Sequence, residues 1–90
     1  MLIALICTDK QDALDTRKAN RDAHLAYIAE TGVVAMAGPL LNDAGDMAGS
    51  LVILDVEDKT AAQSWAANDP YAKAGLFSDV RIQHWKKVIG

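Results

Sequence analysis

The 90-residue chain carries 9 Lys and Arg against 12 Asp and Glu, a formal net charge of −3, and 51% of its residues are hydrophobic. This length and composition predict one globular domain over residues 1–90, near the lower size at which a single core is sufficient. The acidic balance argues against a nucleic-acid partner, and no apolar stretch approaches the ~20 residues of a membrane span.

An apolar run at the N-terminus is the first predicted element. Residues 2–8 are rich in Leu and Ile, which is typical of a strand covered on both faces. The run resembles part of a signal peptide, but it has no basic leader and the charged Asp9 and Lys10 follow it at once. Because Cys7 is the single cysteine, nothing indicates an oxidising compartment, and we expect a cytoplasmic protein.

Five further elements are separated by helix caps and turn residues. The first is a helix over 12–31 with Gly32 as its C-cap, followed by a strand from Val33 to Ala37 that Gly38-Pro39 should stop. After a loop from Leu40 to Met47 comes a third strand from Gly49 to Val56. A helix over 59–68, capped by Asp58 and broken by Asp69-Pro70, and a last strand over 79–88 complete the chain.

The predicted order β-α-β-β-α-β is the ferredoxin-like arrangement, an α+β fold. Right-handed crossovers place both helices on one face of a four-stranded antiparallel sheet. The first and third strands are apolar on both faces, so the face without helices also needs a cover. A second copy of the chain, packed sheet against sheet, is the simplest cover, and the pattern therefore predicts a homodimer through the sheet face.

One face of the first helix carries the most reactive set of side chains. Arg17, Arg21, His24 and Ile28 follow at intervals of 4, 3 and 4 residues and therefore share that face. Such a face is compatible with an acid/base histidine whose neighbouring arginines hold an anionic group of a ligand. Such spacing is common, and taken alone it favours a solvated helix flank that carries a hydrogen-bonded histidine.

Asp69 is the second candidate, because it follows Ala62, Trp65 and Ala66 at helical spacing. It can also be a simple N-cap, since Pro70 is suited to the first position of a helical turn over 71–75. The two interpretations are compatible, because a cap fixes the position of its carboxylate.

Other residues carry weaker signals. Ser50 has no nucleophile motif around it and is at most a pocket hydroxyl. Cys7 is expected to be a small core residue, and His84 an edge or dimer-contact residue. Two histidines on separate elements make a weak case for a metal, so we predict neither a metal nor an organic cofactor.

A series of short segments along almost the whole chain resembles the YCII family. The segments are Asp9-Lys10, Arg17, Arg21 with Ala23-His24-Leu25, Ala37-Gly38-Pro39, Gly49-Ser50, Ala61-Ala62-Gln63-Ser64-Trp65-Ala66, Asn68-Asp69-Pro70-Tyr71, Ala74-Gly75-Leu76-Phe77 and Trp85-Lys86-Lys87-Val88. Each segment is weak alone, whereas the ordered series is specific.

The resemblance implies a ferredoxin-like fold that pairs into a dimeric α+β barrel, with a catalytic His–Asp pair that falls on His24 and Asp69. It also places Arg17, Arg21 and Ser50 in the pocket, and we include Tyr71 among the candidate substrate-binding residues. We therefore predict cofactor-independent acid/base chemistry (proton transfer, elimination or isomerisation) on a small anionic or phenolic molecule. The alternatives are a non-catalytic ligand-binding or sensor dimer and a plain dimerisation module.

Overall fold

The computed structural model describes all 90 residues and contains four strands and three helices. In chain order the elements are β1 (Leu2–Asp9), α1 (Leu14–Thr31), β2 (Val34–Leu41), β3 (Met47–Asp55), α2 (Lys59–Asn68), α3 (Pro70–Lys73) and β4 (Phe77–His84). This order confirms the predicted βαββαβ arrangement, with the short α3 added after α2.

The strands form one antiparallel sheet in the order β2-β3-β1-β4. β1 and β3 are therefore the two central strands, which explains why their sequences are apolar at nearly every position. Cys7 pairs with Ser50 across these central strands. That register brings the carboxyl-terminal end of β1 beside the start of β3, below the first turns of α1.

The core lies between the inner face of the sheet and α2. Its buried members are Ile3, Leu5, Cys7, Val52, Leu54, Ala62 and Trp65. Helix α1 differs from α2, because its two buried residues are the polar Arg17 and His24, whereas Leu25 is 44% exposed. Tyr27 and Ile28 of α1 pack against this core and are only partly buried, and polar groups occupy part of the space between α1 and the sheet.

Two caps act as the sequence predicts. Gly32 ends α1 in the left-handed conformation, with φ of 64° and its N–H bonded to the carbonyl of Ile28. The side chain of Asp58 accepts a hydrogen bond of 2.8 Å from Ala61 N at the start of α2.

The predicted stop of the second strand at Gly38-Pro39 is wrong, because β2 continues to Leu41. β2 lies at the edge of the sheet. A proline is tolerated in an edge strand, because no neighbouring strand needs the N–H that proline lacks. The predicted loop consequently shrinks to a tight turn around Asn42, whose side-chain oxygen accepts bonds from Ala44 N and Asp46 N.

Other boundaries also differ from the prediction, and β3 spans Met47–Asp55 and not Gly49 to Val56. Helix α1 begins at Leu14 and not at residue 12, because Asp12 has a φ of 57° that a right-handed helix cannot include. The last strand spans Phe77–His84 and not 79–88. The pairing of β4 with β1 ends where Trp85 N donates to the carbonyl of Leu2, whereas the carbonyl of Met1 accepts from Val56 N.

The outer face of the sheet carries no helix. Ala4 and Ile53 on the central strands are covered by their neighbours, but Met36, Leu40 and Leu51 are 50%, 38% and 38% exposed. None of the helices combines the length and the apolar character that crossing a membrane requires.

Candidate active site

Helix α1 and the N-terminus of α3 bring His24 and Asp69 together. His24 Nδ1 lies 2.7 Å from Asp69 Oδ1, although the two residues are 45 positions apart in the chain. Both side chains are buried, with 8% and 4% of their surfaces exposed. His24 Nε2 makes no hydrogen bond within the chain and remains available to a molecule in the adjacent pocket.

Asp69 is at the same time the N-cap of α3. Its Oδ1 accepts a hydrogen bond of 3.0 Å from Tyr71 N, and Pro70 occupies the first turn. The predicted cap is present, and it fixes the carboxylate in the orientation in which it meets the imidazole.

Tyr71 packs against the imidazole of His24. The two rings are stacked, with centroids 4.0 Å apart and an angle of 16° between their planes. The guanidinium of Arg17 lies 4.7 Å from the centroid of the Tyr71 ring, within cation–π range. Burial raises the pKa of Tyr71 more than the charges of Arg17 and Arg21 lower it, so its phenol stays protonated at neutral pH.

Arg17 is held by a bidentate ion pair at the end of β1. Its Nε and Nη2 lie 2.7 and 2.8 Å from the two carboxylate oxygens of Asp9, and both side chains are almost completely buried. Burial lowers the pKa of Arg17, but the hydrogen bond and charge of Asp9 outweigh it and raise that pKa overall. Nη2 also donates a bond of 2.8 Å to Ser50 Oγ.

This arrangement sets the direction of the Ser50 hydroxyl. Because Ser50 Oγ accepts from Arg17, its own O–H is directed away from the guanidinium and can be donated to a ligand. Asp9 and Ser50 bind Nε and Nη2 of Arg17 and leave Nη1 as a second donor on the same side.

These groups line a pocket of about 200 Å³ between α1 and the sheet. This volume is below the ~300–1,000 Å³ of sites for drug-sized ligands and near the roughly 150 Å³ of a cavity that admits benzene. The size fits one ring with small substituents. The polar side chains on the wall are those of Arg17, Arg21, His24, Ser50 and Tyr71, and the apolar ones include Leu25, Ile28, Met47 and Val52.

The remaining candidates lie outside the pocket. Cys7 is 2% exposed within the core, and burial and then the charge of Asp69 raise its pKa to about 12, so its thiol is not a nucleophile at neutral pH. His84 is exposed near the end of β4. No group of three or more His, Cys, Asp or Glu side chains is arranged to hold a metal ion.

The role of Asp9 was not predicted from the sequence, where Asp9 is only part of a family segment and is not paired with Arg17. The available signal was a carboxylate at the end of a buried strand, eight residues before an arginine on the helix that returns over that strand.

Comparison with known proteins assigns the chain to a family. A model of the YCII-related domain matches residues 1–86. The proteins named YciI from Escherichia coli O6:H1 and Shigella flexneri are each 39% identical over 97 residues, which cover 98% of this chain and 99% of each relative. An uncharacterised protein of Haemophilus influenzae is 33% identical with the same coverage.

Solved structures with a similar fold include one enzyme that is also similar in sequence. The 5-chloro-2-hydroxyhydroquinone dehydrochlorinase TftG of Burkholderia phenoliruptrix, in complex with 2,5-dihydroxybenzoquinone, superposes with a TM-score of 0.86 at 35% identity and covers 96% of this chain and 94% of its own. An antibiotic biosynthesis monooxygenase superposes with a TM-score of 0.61 at 12% identity, covering 99% of this chain and 100% of its own, which shows the fold alone.

Proposed function

Because the chain belongs to the YCII family, we propose that it is an enzyme that transfers a proton from a small hydroxylated ring and needs no cofactor. His24 is the base and later the acid, and Asp69 orients it. The observation that carries the proposal is the buried contact of 2.7 Å between His24 Nδ1 and Asp69 Oδ1, with Nε2 left unpaired beside the pocket.

Asp69 supports this role by fixing the tautomer of His24. When the carboxylate accepts a hydrogen bond from Nδ1–H, the neutral imidazole keeps its lone pair on Nε2. The same carboxylate stabilises the imidazolium that forms once Nε2 has taken a proton. The stacked ring of Tyr71 restricts rotation of the imidazole, so Nε2 stays directed to one place.

Arg17 and Ser50 are proposed to bind an oxygen of the ring. Both present donors that the chain itself does not use, and the bond between them holds them at a fixed separation. When a hydroxyl of the ligand loses its proton, negative charge develops on oxygen. Donors that are already in place stabilise that charge without the cost of reorganisation.

The reaction class follows from these groups and from the neighbour at 35% identity. In the dehydrochlorination of a chlorinated hydroxyquinol, His24 Nε2 takes a proton from one hydroxyl and returns it to the ring carbon that carries chlorine, which makes that carbon tetrahedral. Nε2 then takes the proton of a second hydroxyl, chloride leaves with the bonding pair of the carbon–chlorine bond, and a hydroxyquinone remains. The step releases HCl and needs no external oxidant or reductant. Proton transfer, elimination and isomerisation on such rings all use the same base and the same oxygen site.

We also propose that the protein acts as a homodimer in the cytoplasm. The exposed apolar side chains of Met36, Leu40 and Leu51 lie at the β2 side of the outer sheet face. A twofold axis through this face would pack the patch of one copy on the same patch of the other and remove it from water.

The test is chloride release from 5-chloro-2-hydroxyhydroquinone under exclusion of oxygen. We expect turnover by the wild-type protein and a loss of about 10²- to 10⁴-fold in kcat for both His24→Asn and Asp69→Asn. His24→Asn removes the base. Asp69→Asn leaves the base in place but removes the carboxylate that keeps its proton on Nδ1.

His84→Asn is the matched control, because it removes the other histidine at an exposed position outside the pocket. It should retain wild-type turnover. Saturable binding of 2,5-dihydroxybenzoquinone without turnover of any chlorinated hydroxyquinol would make the protein a small-molecule binder, and the proposed enzyme would be wrong.

A further inference from the structure

We propose that Arg21 makes the pocket selective for hydroxylated aromatic acids, that is, single rings with an ionised group directed to the pocket mouth. The inference rests on the proposed function, since it concerns the substrate class of the same site. It separates two arginines that share a helix face in the sequence but have different surroundings in the structure.

Arg17 is not available as a net positive charge for a ligand. Both oxygens of Asp9 bind it at 2.7 and 2.8 Å, in a site where the two side chains are 3% and 4% exposed. A carboxylate at this distance offsets the charge of the guanidinium. What Arg17 still offers is directional hydrogen bonding from Nη1, which suits a phenolic oxygen as well as an anion.

Arg21 has no such partner. No carboxylate lies within 4.0 Å of it, since the three ion pairs of the chain join the N-terminal amine to Asp55, Arg17 to Asp9 and His24 to Asp69. Its side chain is exposed, yet it lines the pocket. Arg21 is therefore the one cationic side chain on the pocket wall without a carboxylate partner.

The helix places this charge between the two ends of the site. Arg21 lies four residues after Arg17 and three before His24, so it is roughly 5–6 Å from each when measured between Cβ atoms. The charge of Arg21 reaches the pocket interior, because it lowers the pKa of Tyr71 against the larger effect of burial.

The rest of the wall favours an anion at this position. The apolar side chains of Leu25 and Ile28 lie on the same helix as Arg21, line the pocket and add no negative charge beside it. The carboxylate of Asp69 does not line the pocket, and His24 Nδ1 and Tyr71 N already bind it. An ionised substituent at the mouth thus has Arg21 as its partner and no exposed carboxylate opposite.

The size of the pocket then defines the ligand class. A volume of about 200 Å³ admits one ring, with a hydroxyl against Ser50 and Arg17 Nη1 and with the reacting proton near His24 Nε2. The substituent that reaches Arg21 projects from that ring to the pocket mouth, where the exposed side chain of Arg21 lies. A carboxylate is the planar group that a guanidinium binds with two parallel bonds.

The experiment compares 2,5-dihydroxybenzoate with 2,5-dihydroxybenzamide by titration calorimetry. These two probes share their ring and hydroxyls and differ in the charge of one substituent. We expect the wild-type protein to bind the acid at least tenfold tighter than the amide. Arg21→Gln should lose this preference, with about tenfold weaker binding of the acid and unchanged binding of the amide, as expected for one charge-assisted contact.

Two further variants make the test specific. Arg21→Lys keeps the charge and should retain part of the preference. Arg81→Gln removes an exposed arginine of β4 that does not line the pocket, and it should bind both probes as the wild type does. Raising the salt concentration should weaken binding of the acid to the wild type and leave Arg21→Gln unaffected.

Equal affinities of the wild type for acid and amide, failure to bind either, or equal weakening of both probes in Arg21→Gln would overturn the inference. The proposed function fails separately, through absence of turnover with chlorinated hydroxyquinols. A tenfold preference for the acid without such turnover would leave Arg21 as the selector of a binding site.

Discussion

The guanidinium of Arg17 is a buried charge whose stability depends on one partner. Burial by itself favours the neutral form, but the hydrogen bond and charge of Asp9, with smaller contributions from Tyr71, raise the pKa of Arg17 overall. No buried side-chain nitrogen or oxygen of the chain lacks a hydrogen-bond partner. The polar groups below α1 therefore form a connected network from Asp9 through Arg17 to Ser50. Loss of one member would leave the others buried without a hydrogen-bond partner, which is energetically costly.

Asp9→Asn should destabilise the fold strongly. The change leaves Arg17 buried with no counter-charge, which costs about 3–5 kcal/mol in comparable sites. Urea denaturation followed by tryptophan fluorescence measures the loss in the free energy of unfolding.

Asp43→Asn, an exposed change in the β2–β3 turn, is the control and should lie within about 0.5 kcal/mol of the wild type. The double variant Asp9→Asn/Arg17→Met should recover part of the loss, because it removes the unpaired charge. A midpoint for Asp9→Asn equal to that of the control would show that the ion pair does not stabilise the fold.

At the scale of elements, short pieces of structure place the functional groups. Helix α3 has only four residues, too few to be stable alone, and it forms because Asp69 caps it and Pro70 starts it. On the other side of the site, Ser50 is placed by the close approach of β3 to β1. Gly49 is buried there, and a Cβ at this position would collide with the backbone carbonyl of Cys7.

Gly49→Ala should separate the ends of β1 and β3 and move Ser50 away from Arg17. The expected cost is about 1–3 kcal/mol in the free energy of unfolding, as for other overpacked sites. Thermal denaturation gives the stability, and affinity for 2,5-dihydroxybenzoquinone gives the effect on the pocket.

Gly38→Ala is the matched variant on the neighbouring strand, where nothing lies within 4 Å of the added methyl group. Its free energy of unfolding should equal that of the wild type. If Gly49→Ala behaves in the same way, the close contact between β1 and β3 is not what places Ser50.

At the scale of the whole molecule, the two faces of the sheet differ. The inner face packs on helices and encloses the pocket, while the outer face leaves Met36, Leu40 and Leu51 in contact with solvent. The edge strand β2 borders both faces, because Pro39 lines the pocket and Met36 belongs to the outer patch. An interface on the outer face would therefore restrict the movement of β2, which forms one wall of the pocket.

Leu51→Asp should convert the proposed dimer into a monomer. It places a charge in the centre of an apolar contact, where the charge has no partner. Sedimentation velocity should give a dimer of the 9.6 kDa chain for the wild type and a monomer for the variant.

Ala67→Asp adds the same charge to an exposed position of α2 and should leave the dimer intact. A monomeric wild-type protein at all concentrations would show that the outer face is not a homodimer interface.

The sequence by itself determined the order of the elements and several of their ends. Gly32 and Asp58 cap helices because their backbone and side-chain preferences are local, and the apolar runs of β1 and β3 identify the central strands for the same reason. The shared helix face of Arg17, Arg21 and His24 is also local, since helical periodicity alone produces it. The pairing of His24 with Asp69 was inferred from family resemblance, and spacing within the chain does not encode it.

Only the tertiary structure decided which of these groups meet. Asp9 and Arg17 pair because α1 returns over the end of β1, and Pro39 is accommodated because β2 is an edge strand. These outcomes depend on contacts between elements, which carry no periodic signal in the sequence. The difference between a neutralised Arg17 and an unpaired Arg21 has the same origin: both arginines look alike on the helix, and the partner on β1 distinguishes them.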